Sequence, residues 1–124
     1  MKLESQRYAD TIVVAPTGRL DHDHCERFRA GLQPHLEGAA SEARRIVLDL
    51  SGLEYVSSAG LRCFMLAAKQ VGGQGGKIVL AALRPVVSEI FQISRFDMLF
   101  EIFPSVREAL AAVSAPAAAA FDRT

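Results

Sequence analysis

The run Tyr55-Val56-Ser57-Ser58-Ala59-Gly60-Leu61-Arg62 sets two hydroxyls at the start of a helix-periodic stretch and a glycine within its first turn. Two chemistries suit that arrangement. A serine ahead of a helix caps it by accepting a bond from a free backbone N–H, a contribution of roughly 0.5 to 2 kcal/mol. A helix N-terminus also presents unpaired N–H groups and partial positive charge, so a phosphate esterified there is accommodated and changes the surface more than the fold. Gly60 adds a hint of its own. Glycine inside a helix costs about 1 kcal/mol against alanine, which implies close approach by another group.

The run Asp21-His22-Asp23-His24-Cys25 collects three types of metal ligand. On a helix, however, only Asp21 with His24 or Cys25, and His22 with Cys25, would share a face, and no second cluster supplies the remaining ligands. Helix capping is therefore expected here, with Asp23 as the cap and Glu26 three residues on, and no metal site. The glycines from Gly72 to Gly76 are followed by no Gly-Lys-Ser/Thr and by no helix start, so they form a turn and not a phosphate loop. His35, near the end of the first helix, reads as a surface residue. Cys25 and Cys63 form no CxxC pair and are expected as reduced core thiols, Cys63 being buried beside Phe64 and Met65. Arg62 and Lys69 are candidate exposed partner contacts. No local motif pairs a nucleophile with a base and no cofactor fingerprint is present, so a non-enzymatic protein without a cofactor is expected.

These residues need elements to hold them. Thr11–Ala15 is β-branched and closed by Pro16, Thr17 and Gly18, which predicts a strand and a turn. Cys25, Phe28, Leu32 and Leu36 recur at helical spacing between Asp23 and about Glu37. Arg45–Leu50 alternates, with Ile46, Leu48 and Leu50 on one side and Val47 and Asp49 on the other, as expected of a strand buried mainly on one face. Leu61, Phe64, Met65, Ala68 and Val71 predict a helix that stops in the glycine cluster. Lys77–Leu83 predicts a central strand. Pro85 opens a third helix with Val86, Ile90 and Ile93 inward, and Leu99–Phe103 forms the last strand. Ser105 and Glu108 have capping-box spacing for a helix through Leu110 and Val113, followed by a frayed Ala-rich end.

The chain has 124 residues, 50% of them hydrophobic and 23% charged, and its 14 Lys plus Arg balance 14 Asp plus Glu. That is the composition of one soluble domain with a core of its own. Nucleic acid is not expected as a partner, because no basic patch or run is present. Neither is membrane insertion, and the polar start Met1–Arg7 leads into no signal-peptide core, so a cytoplasmic protein is expected.

The segment from Asp49 through Ser57, Ser58 and Gly60 to Arg62 closely resembles the signature of STAS domains, specifically of the anti-sigma factor antagonists. Gly18-Arg19-Leu20-Asp21 resembles their second signature, and the likeness runs from about Thr11 to Val113. The resemblance implies an α/β, STAS-like single domain over residues 1–113, with a mixed sheet of about 4 to 5 strands and about 4 amphipathic helices, ahead of a flexible tail at 114–124. It implies Ser58 as phosphoacceptor, with Ser57 the second candidate, and a partner-binding set of Asp21, Ser57, Ser58, Gly60 and Arg62. The implied partners are an anti-sigma factor that is also a serine kinase with an ATP site, bound when Ser58 is unphosphorylated, and a PP2C-type serine phosphatase. Two positions depart from the family pattern: Ser57, where Asp is frequent, and Arg95, where glycine is usual. Two other readings fit the same fold, a STAS subunit of a bacterial ABC lipid transporter docked constitutively on its ATPase, and a subunit of a larger stress-signalling assembly.

Overall fold

The computed structural model describes residues 2–39, 45–73 and 75–124, with side chains for all of these except 36–39. The chain opens with strand β1 (Lys2–Tyr8), which turns through Ala9 and Asp10 into the long β2 (Thr11–Leu20) and pairs with it antiparallel. Helix α1 (Cys25–Ala39), β3 (Arg45–Asp49), β4 (Leu53–Val56), α2 (Ser58–Gly73) and β5 (Lys77–Ala81) follow. Then come α3 (Pro85–Ile93), a 3-10 turn at Phe96–Met98, β6 (Ile102–Phe103), α4 (Val106–Val113) and α5 (Ala115–Asp122). The six strands form one mixed sheet in the order β1-β2-β3-β5-β6, with β4 paired to the end of β2, and every pairing except β1 with β2 is parallel. The α/β mixed-sheet expectation holds, with six strands and five α-helices among the described residues.

Several strands differ from the sequence reading, and β4, four residues directly after the turn at Gly52, was expected no more than β1. β1 was not expected, since its residues are mostly polar and exposed; it is an edge strand that needs only Leu3 and Tyr8 to reach the core clusters. β2 does not stop at Pro16. Its pairing with β3 ends at Val14 and that with β4 begins at Gly18, so Pro16, which lacks a donor, lies between two parallel partners. Gly18 has φ 97 and the register shifts between Gly18 and Arg19, a bulge that glycine permits. β6 keeps only Ile102 and Phe103 of the expected strand, and Leu99 is exposed.

The sheet is covered on both faces. Ile46, Leu48 and Leu50 join Phe28, Leu32, Phe64 and Phe91 in the larger core under α1, α2 and α3, while Val47 joins Val13, Val79, Ala109, Leu110, Ala117 and Ala118 under α4 and α5. β3 is thus buried on both sides, contrary to the one-faced expectation. The reason is the C-terminal stretch. In place of the expected flexible tail, α5 is capped by Ser114, whose Oγ accepts from Ala117 N at 3.2 Å, and it docks through Phe121 against Tyr8, ring centroids 5.4 Å apart. Its last turn is held by a two-bond pair from Arg107 to Asp122, at 3.0 Å each.

α3 is rotated from expectation: Val87 and Phe91 are buried, Ile90 is half-buried, and Val86 and Ile93 are exposed. Apolar residues take up more than half of this helix's circumference, so spacing alone does not fix which of them face the core. Phe91 chooses it, packing between Phe64 and Phe100 in tilted and edge-to-face contacts with ring centroids 5.8 and 6.3 Å apart. On α1, Phe28 and Leu32 are buried as expected, while the Leu36 side chain lies outside the described residues. α2 runs into the glycine cluster, where Gly76 N donates to Val71 O at 2.8 Å and Gly75 takes φ 80, confirming a turn.

Candidate functional site

The parallel strands end on one side of the molecule, where β2 delivers Leu20 and Asp21 and β4 delivers Val56 and Ser57. Crevices outside the carboxyl ends of such strands are where open α/β sheets place their ligands. The two strand ends are stitched together. Ser57 N donates to Leu20 O at 2.9 Å, and Ser57 Oγ accepts from Gly60 N at 3.1 Å. Ser57 is therefore the N-cap of α2, with its hydroxyl engaged. Ser58 is the first helical residue; it is exposed, and its hydroxyl carries no hydrogen bond among the described residues.

Gly60 is buried, and a Cβ built on it would lie 2.4 Å from the Leu20 carbonyl oxygen and 2.8 Å from Val56 Cγ2. Close approach was expected, and the approaching group is the chain's own strand end. Gly60 consequently seats α2 against β2 and is buried there. Arg62, one helical turn beyond Ser58, is exposed as expected, and so is Lys69.

The segment before α1 is closed by Asp21 and not by Asp23. Asp21 Oδ1 accepts from His24 N at 3.1 Å and lies 2.7 Å from His24 Nδ1. The hydrogen bond from His24 holds the Asp21 carboxyl below its ordinary range. Asp21 follows directly on Leu20 and is half-buried, with one oxygen committed to its own loop.

His22, Cys25, Ser58, Ala59, Arg62, Cys63 and Leu66 line an open hollow of about 510 Å³ between the starts of α1 and α2. Ser58 thus shares a surface with two basic side chains and a helix N-terminus, a setting in which an added phosphate meets favourable charge. The expectation of reduced thiols fails here. Cys25 and Cys63 are joined as a disulfide across this hollow, with Cα atoms 6.2 Å apart. Their separation of 38 residues left no local signal of the pairing, and only the packing of α1 on α2 brings them together. Cys63 is buried, as read from its neighbours.

Arg95 has φ 64, in the left-handed region, at the turn between α3 and Phe96. That is a conformation glycine adopts without the strain it imposes on an L side chain.

Comparison with known proteins agrees with this architecture. The sequence profile of the family described as "Mlab, STAS domain" matches residues 4–104. BtrV of Bordetella bronchiseptica, described as a candidate anti-sigma factor antagonist, is 38% identical over 112 residues, covering 90% of this chain and 93% of that one. The crystal structure of a candidate anti-sigma factor antagonist from Thermotoga maritima has a TM-score of 0.80 at 20% identity, covering 90% of this chain and 93% of that one. The anti-sigma factor antagonist SpoIIAA in its unphosphorylated form gives 0.73 at 21% identity, over 90% and 96% of the two chains. Its phosphorylated form, from Bacillus, gives 0.67 at 19%, over 91% and 100%. At such identities the solved structures establish the fold. Among the described residues no helix is long and apolar enough to cross a membrane.

Proposed function

Because the chain belongs to the STAS domain family, we propose that it is an anti-sigma factor antagonist whose partnership is switched by phosphorylation of Ser58. One observation carries the choice of residue: the adjacent serines divide their labour. Ser57 spends its hydroxyl on Gly60 N, whereas Ser58 is exposed at the first position of α2. A modification of Ser57 would have to break the cap; one of Ser58 would not.

Unphosphorylated, the surface of Asp21, Ser58 and Arg62 binds an anti-sigma factor that is also a serine kinase. Within that complex the kinase moves the γ-phosphoryl group of its ATP onto Ser58 Oγ, and the displaced hydroxyl proton leaves through the kinase. The new group adds about 1.5 to 2 negative charges. Arg62, His22 and the α2 N-terminus stabilise that charge in the free protein, whereas a partner surface shaped for a neutral hydroxyl must desolvate it, at several kcal/mol. A few kcal/mol is a 100-fold change in affinity or more, enough to separate the complex. A serine phosphatase of the PP2C type restores the hydroxyl. The chain supplies surface and acceptor, and the chemistry belongs to its partners.

The test is an affinity capture from native extract with wild type, Ser58→Ala and Ser58→Glu as baits, followed by mass spectrometry. A serine kinase retained by wild type and Ser58→Ala and lost with Ser58→Glu is the expected result. A transporter ATPase captured equally by all three overturns the switch, and phosphorylation of Ser58→Ala to the wild-type extent overturns the acceptor.

A further inference from the structure

We infer that Cys25 and Cys63 form a reversible thiol–disulfide site whose oxidation fixes the hollow onto which Ser58 opens. Three observations converge on this pair. The cysteines are bonded, and their Cα separation of 6.2 Å is within the range that a disulfide spans without moving the backbone. They belong to different helices, Cys25 being the first residue of α1 and Cys63 lying on the first turns of α2. Both line the same open hollow as Ser58, His22 and Arg62, so a small thiol or disulfide reaches the bond from solvent.

Accessibility distinguishes this bond from a purely structural one. Cys63 is buried, whereas Cys25, the first residue of α1, is half-buried on the wall of the hollow. The Arg62 guanidinium lines the same hollow and adds positive charge to it. Cys25 is therefore the sulfur that exchanges first. In the oxidising direction the Cys25 thiolate attacks one sulfur of a small disulfide such as oxidised glutathione, giving a mixed disulfide and releasing one glutathione thiolate. The Cys63 thiolate then attacks Cys25 Sγ and displaces the second. Two protein thiols lose two electrons and two protons, and the small disulfide leaves as two thiols; reduction runs the same steps backwards.

The mechanical consequence follows from what the bond joins. The segment from Asp21 to His24 is already anchored at its start, where Leu20 O accepts from Ser57 N and packs on Gly60. The disulfide anchors its other end to α2. Oxidised, the segment is tied to α2 at both ends and the hollow beside Ser58 keeps one shape. Reduced, the first turn of α1 loses its covalent tie to α2 and the segment opens more readily. The consequence for phosphorylation rests on Ser58 being the acceptor; the site and its clamp do not.

Two measurements on the intact wild-type chain decide the matter, and neither needs a kinase. First, the protein is equilibrated across ratios of reduced to oxidised glutathione, quenched in acid, alkylated and weighed by mass spectrometry. The expected result is one two-electron transition between a doubly alkylated and an unalkylated, folded chain. Two free thiols at every ratio, or a persistent glutathione adduct on Cys25, overturns the site. A reduced chain that loses its circular dichroism makes the bond structural and overturns the reversible switch. Second, amide hydrogen exchange is compared between the two forms. Protection of residues 22–25 and 59–63 is expected to rise by about tenfold on oxidation, with the central strands unchanged. Equal protection in both forms overturns the clamp, and a Cys25→Ser, Cys63→Ser double variant is expected to match the reduced form.

Discussion

Two neighbouring serines at the start of α2 have identical side chains and different environments. Ser57 Oγ accepts the Gly60 N–H at 3.1 Å, and Ser58, one residue on, is exposed. Ser57→Ala is therefore expected to lower stability by about 1 kcal/mol, the ordinary cost of a lost cap, while Ser58→Ala stays within about 0.5 kcal/mol of wild type. Urea denaturation monitored by circular dichroism checks both, and equal losses would mean that the cap is shared. Phosphate incorporation is expected to vanish in Ser58→Ala and to persist in Ser57→Ala. Arg95 makes a second residue-scale case. Its φ of 64 costs a non-glycine residue about 1 to 2 kcal/mol, against which glycine brings about 0.5 to 1 kcal/mol of chain entropy. Arg95→Gly is expected to raise the thermal midpoint slightly, by the equivalent of about 0.5 to 1 kcal/mol, in a calorimetric scan.

At the scale of elements, α5 changes what the sheet is. Without it the Val13, Val47 and Val79 side of the strands would be covered by α4 alone. Ala117 and Ala118 pack there, Phe121 meets Tyr8, and Ser114 both caps the helix and donates from Oγ to Asp10 Oδ1 at the β1–β2 turn. A chain ended at Val113 is expected to lose about 2 to 3 kcal/mol, the worth of roughly one large apolar side chain returned to water. A truncated protein with an unchanged urea midpoint would show that α5 is dispensable. Its sequence hid this role, because alanines give no periodic contrast and Pro116 and Ser114 read equally well as breakers. In the structure, Ser114 is the cap and Pro116 occupies the first turn, where a missing N–H costs nothing.

The whole molecule is electrically balanced, so its response to pH comes from particular carboxylates. The Asp10 carboxyl is held below its ordinary value of 3.8, chiefly by the hydrogen bond from Ser114. A carboxyl depressed in the folded state stabilises the protein above its unfolded value, and that contribution disappears as pH falls through the folded value. Asp10→Asn is thus expected to be less stable than wild type at about pH 6, with the gap closing towards about pH 2, as read from urea midpoints. A gap independent of pH would remove Asp10 from the account. Much of this molecule was legible beforehand. Phe28, Leu32, Leu61, Phe64 and Val71 announced two helices by spacing, Ser105 with Glu108 announced a third, and the Ser57–Gly60 run marked the junction proposed as the site. Local order of this kind is written in periodicity and capping chemistry, which need only neighbours in the chain. What the tertiary structure decided was every choice between local equals: which serine caps, which face of α3 is buried, whether β3 has one covered side or two. It also decided that Cys25 and Cys63 meet. Each of those outcomes depends on groups far apart in sequence, the Leu20 carbonyl over Gly60, Phe91 between Phe64 and Phe100, α5 across β1, and α1 against α2. Packing selects among them because only one arrangement fills the core and pairs the polar groups at once.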